Sequence, residues 1–305
     1  MMYFSYNERN ANYAKDPGVV RFQGRYLLYY SIPAFPKDDP RNVCGWGIGI
    51  AESSDLKNWH YLGECPSLSP VENRGFCAPG ARVIDGKVHL FYQSYDAVRR
   101  DAICHAVSTD GVNFVKDATN PIFAPPQCEW SFGRAIDADV IFFKGQWFLY
   151  AATRDPELKI QKLVVATAPA GSDFSAGSWQ LAADRSILEP ELPWEQSCIE
   201  APATLIHNGK LYMFYGGAYN NAPQQIGCAV SSDGINFERL SNEPVLPCGK
   251  PGEWNSSESG HPFAFTDDDG TDYLFFQGNN DNGKTWHLSC KKIVWQGDIP
   301  QFVEF

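Results

Sequence analysis

One pattern recurs five times along this chain of 305 residues: a short motif, an apolar stretch, a turn glycine, then an aromatic strand. The copies are DPGVVRFQGRYLLYYS from Asp16, APGARVIDGKVHLFYQS from Ala78, DADVIFFKGQWFLYAA from Asp137, APATLIHNGKLYMFYGG from Ala201 and HPFAFTDDDGTDYLFFQG from His261. Their turn glycines, Gly24, Gly86, Gly145, Gly209 and Gly270, are spaced by 62, 59, 64 and 61 residues. A second element follows in three copies: SSDLKNW at Ser53, STDGVNF at Ser108 and SSDGINF at Ser231. It is degenerate in the third copy and not recognisable in the fifth. Each repeat therefore predicts a hairpin turning at glycine, a third strand, a turn at Ser-x-Asp-Gly and a fourth strand. Five such units predict an all-β fold, a five-bladed β-propeller with four antiparallel strands per blade, spanning residues 1–305 as a single catalytic domain. An aromatic content of 14% and the many Gly and Pro agree with strands and turns.

The charge narrows the partners. With 36 acidic and 25 basic side chains the net charge is −11, which argues against nucleic acid and against an anionic membrane surface. No apolar run reaches the roughly 18–20 residues of a membrane span, and the first residues lack the basic and apolar regions of a signal peptide. The nine cysteines are scattered with no C-x-x-C spacing. Cys104 and Cys228 sit inside apolar runs, as small hydrophobes do. A reducing, cytoplasmic setting is the expectation.

In a propeller the first strand of every blade lines the central channel, so its opening residues converge from distant parts of the chain. Those positions hold Asp16, Ala78, Asp137, Glu200 or Ala201, and His261. Gathering carboxylates on one axis is costly unless chemistry uses them. Glycoside hydrolysis needs such a set: one carboxylic acid to protonate the leaving oxygen, one carboxylate to handle water or the sugar. Asp137 and Glu200 stand among apolar neighbours, an odd place for solvated charges. Asp139 is an alternative to Asp137, being two residues on and on the same face of a strand. Glu258 competes with Glu200, since it stands just before the fifth motif.

Lys15–Val19 (KDPGV), Ala135–Phe142 (AIDADVIF) and Ile199–Pro202 (IEAP) resemble, in order and spacing, the three acidic motifs of family 43 glycoside hydrolases. The resemblance covers nearly the whole chain. It implies an inverting hydrolase with Asp16 as general base, Asp137 as the residue that orients and tunes, and Glu200 as general acid. It further implies release of α-L-arabinofuranosyl or β-D-xylosyl units from plant-type oligosaccharides. Inversion requires base and acid carboxyls roughly 6.5–9.5 Å apart. The chain departs from the family where Ala138 replaces Pro after the second Asp, and where Cys77 replaces the Trp of Trp-Ala-Pro. An aromatic wall of the sugar pocket is then either missing or supplied by Phe76. His261 matches the family's Gly-His motif, which implies a structural calcium or sodium ion in the channel.

Three further residues are candidates for binding substrate: Arg82 and Arg134 by repeat position, and Trp130, which precedes the third motif as Trp194 and Trp254 precede the fourth and fifth. The loop Ile32–Gly45 is long enough to wall a pocket. Asp267–Gly270 reads as a hairpin turn. Alternative readings are a β-fructosidase, a glycoside phosphorylase of related fold, or a sugar-binding propeller without catalysis. The fructosidase motifs Asn-Asp-Pro and Glu-Cys are replaced here by Lys15-Asp16-Pro17 and Glu200-Ala201.

Overall fold

Both faces of the three inner strands of each blade are largely buried, which is why they read as continuous apolar runs such as YLLYY rather than as alternation. The computed structural model describes residues 2–9, 12–41, 45–66, 69–95 and 101–305. Cys44 and part of the loop expected to wall the pocket lie outside them.

The strands form five four-stranded antiparallel sheets. The first sheet holds β1 (Lys15–Phe22), β2 (Arg25–Ile32), β3 (Gly47–Ser53) and β4 (His60–Glu64). The second holds β5 (Phe76–Ile84), β6 (Lys87–Ser94), β7 (Ala102–Ser108) and β8 (Val115–Lys116). The third holds β9 (Ile136–Phe143), β10 (Gln146–Arg154), β11 (Gln161–Pro169) and β12 (Gln180–Leu181). The fourth holds β13 (Ile199–His207), β14 (Lys210–Gly217), β15 (Gln225–Ser231) and β16 (Glu238–Arg239). The fifth holds β17 (Glu258–Thr266), β18 (Asp272–Asn279), β19 (His287–Gln296) and β20 (Ile299–Val303). The inner strands β1, β5, β9, β13 and β17 touch in that order, and β17 touches β1, so the ring closes. This is the expected five-bladed propeller.

The core is divided among the seams between blades. Leu28 and Tyr30 pack with Phe263, Phe275 and Leu288 of blade 5, whereas Leu27 and Tyr29 pack with Phe76, Leu90 and Tyr92 of blade 2. Successive side chains of one strand thus serve opposite seams. The other three seams are filled in the same way. The Ser-x-Asp turns close on themselves. Asp110 Oδ1 accepts the Val112 and Asn113 N–H groups, both at 2.8 Å, and Asp55 and Asp233 repeat the arrangement. Tyr29 of blade 1 donates to Gly111 O in the blade 2 turn at 2.7 Å, and Tyr150 does the same to Gly234 O. The third–fourth strand turn not found in the fifth repeat runs through Gly297 and Asp298, whose backbone carbonyls accept from His207 and Tyr212.

Every inner strand begins with the same irregularity. Asp16, Ala78, Asp137, Ala201 and His261 have φ of 50°, 49°, 56°, 52° and 43°, and pairing with the second strand slips at each of them. A left-handed residue other than glycine costs about 1–2 kcal/mol. The exposed N–H is satisfied from the preceding blade: Ser31 Oγ accepts from Ala78, Gln93 Oε1 from Asp137, Gln224 Oε1 from His261, and Gln277 Oε1 from Asp16 across the closure. Around the axis the backbones touch. A Cβ on Gly18 would stand 2.1 Å from Pro79 O, and one on Gly80 2.2 Å from Ala138 O.

Candidate active site

The left-handed bulge turns the side chain at each blade start towards the axis, and this delivers Asp16, Asp137 and His261 to one spot. The fourth blade's equivalent position is Ala201, so Glu200 is one residue upstream of the repeat position and aligns with Lys15, Cys77, Ile136 and Gly260. All three carboxylates are largely buried, at 6% exposure for Asp16, 8% for Asp137 and 6% for Glu200.

His261 lies between two of them. Its Nε2 is 3.4 Å from Asp16 Oδ1 and 3.4 Å from Asp137 Oδ1. Burial opposes its protonation, but the two aspartates outweigh burial and lift its pKa to about 9, so the ring is a cation at neutral pH. Burial opposes ionisation of Asp16 as well. His261, Lys15 at 4.0 Å and Ser31 overcome it and hold the carboxyl below the usual aspartate range.

Glu200 goes the other way. Burial and the negative charge of Asp137 raise its pKa. Its Oε1 accepts from Gln224 Nε2 at 2.6 Å, and its Oε2 accepts from Gln161 Nε2. Gln161 is fixed in turn by Arg154, whose Nε donates to Gln161 Oε1 at 3.0 Å, and the Arg154 guanidinium stands 5.4 Å over the Tyr219 ring. Two carboxyls driven apart by their surroundings are the arrangement that allows one base and one acid to coexist.

The candidate metal role of His261 meets a poor donor set. A hard cation takes six or more oxygens, and Nε2 already faces two carboxylates that its own charge balances. Beside it, Pro17, Pro79, Pro202 and Pro262 line a void of about 10 Å³, room for about one water. Among the described residues no three His, Cys, Asp or Glu side chains converge as ligands. The described side chains thus supply no ligand set of their own, while both ring nitrogens of His261 are buried without a hydrogen-bond partner.

The other candidates separate. Asp139 is not part of the cluster. The bulge at Asp137 breaks the alternation, and Asp139 instead accepts from the Thr204 N–H at 2.7 Å and from Arg82 Nη2 at 2.8 Å. Arg82 is thereby spent on tying the inner strands, with further bonds to Val140 O and Thr204 O, and is not available to a sugar. Phe76 is fully buried in the seam between blades 1 and 2, edge-on to Tyr92 at 5.7 Å, so it forms no pocket wall. Trp130 packs on the seam between blades 2 and 3 and donates to Asp184 Oδ1 at 3.3 Å. Trp194 and Trp254 likewise cover Gly217 and Gly278. Arg134 stays near the site: Asp101 holds its Nη2 at 2.6 Å, and its charge, like those of Arg154 and Glu200, acts on Tyr219. Glu258 is fully buried and accepts from Gln277 Nε2 and Asn221 N–H, both at 2.7 Å, with its pKa pushed up to about 7 by burial.

Sequence reasoning missed the glutamines. The signal was present, since Gln93 and Gln277 interrupt aromatic runs at the same place in their strands, FYQS and FFQG. A polar side chain in a buried run needs a partner.

A family model for glycosyl hydrolases family 43 matches residues 9–300. The chain is 29% identical over 158 residues to raffinose invertase of Escherichia coli, covering 48% of this chain and only 31% of that protein. Among solved structures it resembles a thermostable family-43 glycoside hydrolase (TM-score 0.75, 20% identity, 95% of this chain and 92% of the other). It also resembles an endo-1,4-beta-xylanase from Bacteroides thetaiotaomicron (0.74, 21%, 98% and 97%) and an alpha-L-arabinofuranosidase from Lactobacillus brevis (0.69, 18%, 94% and 93%).

Proposed function

The chain belongs to glycosyl hydrolase family 43 and is an inverting glycoside hydrolase, and from that premise we propose that it removes α-L-arabinofuranosyl or β-D-xylosyl units from short plant-type oligosaccharides. Asp16 takes a proton from a water on one face of the sugar. Glu200 gives its proton to the glycosidic oxygen on the other, through an oxocarbenium-like transition state. Asp137 keeps Glu200 protonated by its negative charge, and His261 keeps Asp137 and Asp16 together without mutual repulsion. The observation that carries this reading is the convergence of three buried carboxyls from separate blades beside His261, with Asp16 held down and Glu200 pushed up.

The choice of sugar is supported by the likeness to the xylanase and the arabinofuranosidase. Pro17, Pro79, Pro202 and Pro262 line the small void beside Asp137 and His261, and so narrow a channel favours release of terminal units. The eight described cysteines are all unpaired, which supports a reducing, cytoplasmic setting where imported substrates are short. The match to raffinose invertase favours a second reading, a β-fructoside substrate; Lys15 before Asp16 and Ala201 after Glu200 speak against it.

The test is hydrolysis of aryl α-L-arabinofuranoside, β-D-xyloside, β-D-galactofuranoside and β-D-fructofuranoside, with and without phosphate. Cleavage of a pentoside that Asp16→Asn abolishes, and that Glu200→Gln slows by about 10²–10⁴ on substrates with poor leaving groups, is the expected result. Cleavage of the fructoside alone, or only with phosphate, overturns the assignment. Tight oligosaccharide binding without any cleavage leaves the sugar-binding propeller.

A further inference from the structure

The reaction as described gives Lys15 no contact with the sugar or the attacking water, yet its ammonium is built into the site. The side chain is only 12% exposed, and Nζ lies 4.0 Å from Asp16 Oδ1. It also sits 4.5 Å from the centre of the Trp286 ring and 5.9 Å from that of Trp46. Tyr13 packs against both indoles, with ring centres 5.7 Å and 6.1 Å away. The cage is held by backbone pairing: Ala14 N–H donates to Trp286 O at 3.0 Å, and Trp286 N–H to Asn12 O at 2.9 Å. Aromatic faces compensate part of the lost hydration of an ammonium and restrict where it points.

Charge balance gives the reason for a second cation. His261 is one positive charge shared by two aspartates. The charged groups acting on Lys15 are Asp16, Glu258 and Glu200, together with the Tyr13 phenol, and those lowering Asp16 are His261 and Lys15. Burial works against protonated Lys15, and Asp16 and Glu258 more than restore it.

We propose that Lys15 is a positioning residue for the general base, its ammonium caged by Trp286 and Trp46 and held 4.0 Å from Asp16 so that the carboxylate is aimed at the attacking water. This rests on the glycosidase reading above. The experiment compares Lys15→Met, Lys15→Gln and Lys15→Arg by the pH dependence of kcat/KM on the aryl glycoside cleaved, and by NMR titration of the Asp16 carboxyl in a Glu200→Gln background. Losing the cation should move the acid limb and the Asp16 titration up by about one pH unit or more, with kcat falling more than KM changes. Lys15→Arg should restore most of both. A folded Lys15→Met or Lys15→Gln protein whose acid limb and Asp16 titration match wild type overturns the proposal. If wild type cleaves no glycoside, the functional reading fails while the titration still decides what Lys15 does to Asp16.

Discussion

Two glutamines reach one carboxyl from different blades. Gln161 of β11 and Gln224, just ahead of β15, donate to opposite oxygens of Glu200. Amide donors favour the ionised form, so they work against the burial and the Asp137 charge that raise its pKa. Gln161→Leu should therefore lift Glu200 further and move the basic limb of the kcat/KM profile to higher pH. The rate at the optimum should drop on the order of tenfold or more, because the acid loses its aim. The wild-type profile should be a bell, its acid limb set by Asp16 and its basic limb by Glu200. The gathering of Asp16, Asp137 and Glu200 was legible in the sequence because each is a charge at a blade opening, Asp137 and Glu200 in apolar settings. Gln161 and Arg154 were not, since their role depends on how β11 and the end of β10 meet a neighbouring blade.

At the scale of the strand, the repeat was legible because turn glycines and two-sided burial leave a strong periodic mark. What it concealed was the bulge. A single left-handed residue changes which neighbours share a face, so Asp139, two positions after Asp137, joins Arg82 and Thr204 rather than the carboxylate cluster. The same slip places Glu200, not the repeat-equivalent Ala201, among the acids. Phe76 forms no pocket wall and Trp130 packs on a seam for a related reason: an aromatic beside a blade start can serve a seam just as well as a sugar. The bulge also brings backbones into contact, and this gives a direct test. Gly18→Ala should cost more than about 2 kcal/mol, measured by urea denaturation, since its Cβ would meet Pro79 O at 2.1 Å and a backbone atom cannot step aside. Gly24→Ala, at a hairpin turn with nothing within 4 Å, should cost less, through its φ of 80° alone.

For the whole molecule, closure joins two complete sheets, and among the described residues no strand is exchanged between first and last blades. The join is stapled by the chain's start: Phe4 pairs with Leu288, Ser289 Oγ donates to Met2 O at 2.8 Å, and Phe4 packs edge-on to Tyr30 at 5.2 Å. Phe4→Ala should cost about 3 kcal/mol and weaken activity with stability, because Gln277 of blade 5 caps Asp16 across this seam. Stability should also depend on pH through groups whose pKa is raised on folding. Glu258 stabilises fully below its unfolded value near 4.5 and loses that contribution as pH rises through about 7. His261 stabilises fully below about 6.5 and loses its contribution through about 9. The urea midpoint should therefore decline from mildly acidic to alkaline pH, and Glu258→Gln should flatten the first part of that decline. The five blade starts, finally, are interchangeable sockets. Each presents one residue to the axis from the same backbone conformation, and in at least four the N–H is already tied to the preceding blade. Only three sockets carry an ionisable side chain. Ala78 and Ala201 fill the other two with a methyl group, so a new acid, base or hydrogen-bond donor can be installed on the axis by one substitution without rebuilding the main chain. A ring of this kind can acquire new chemistry one blade at a time.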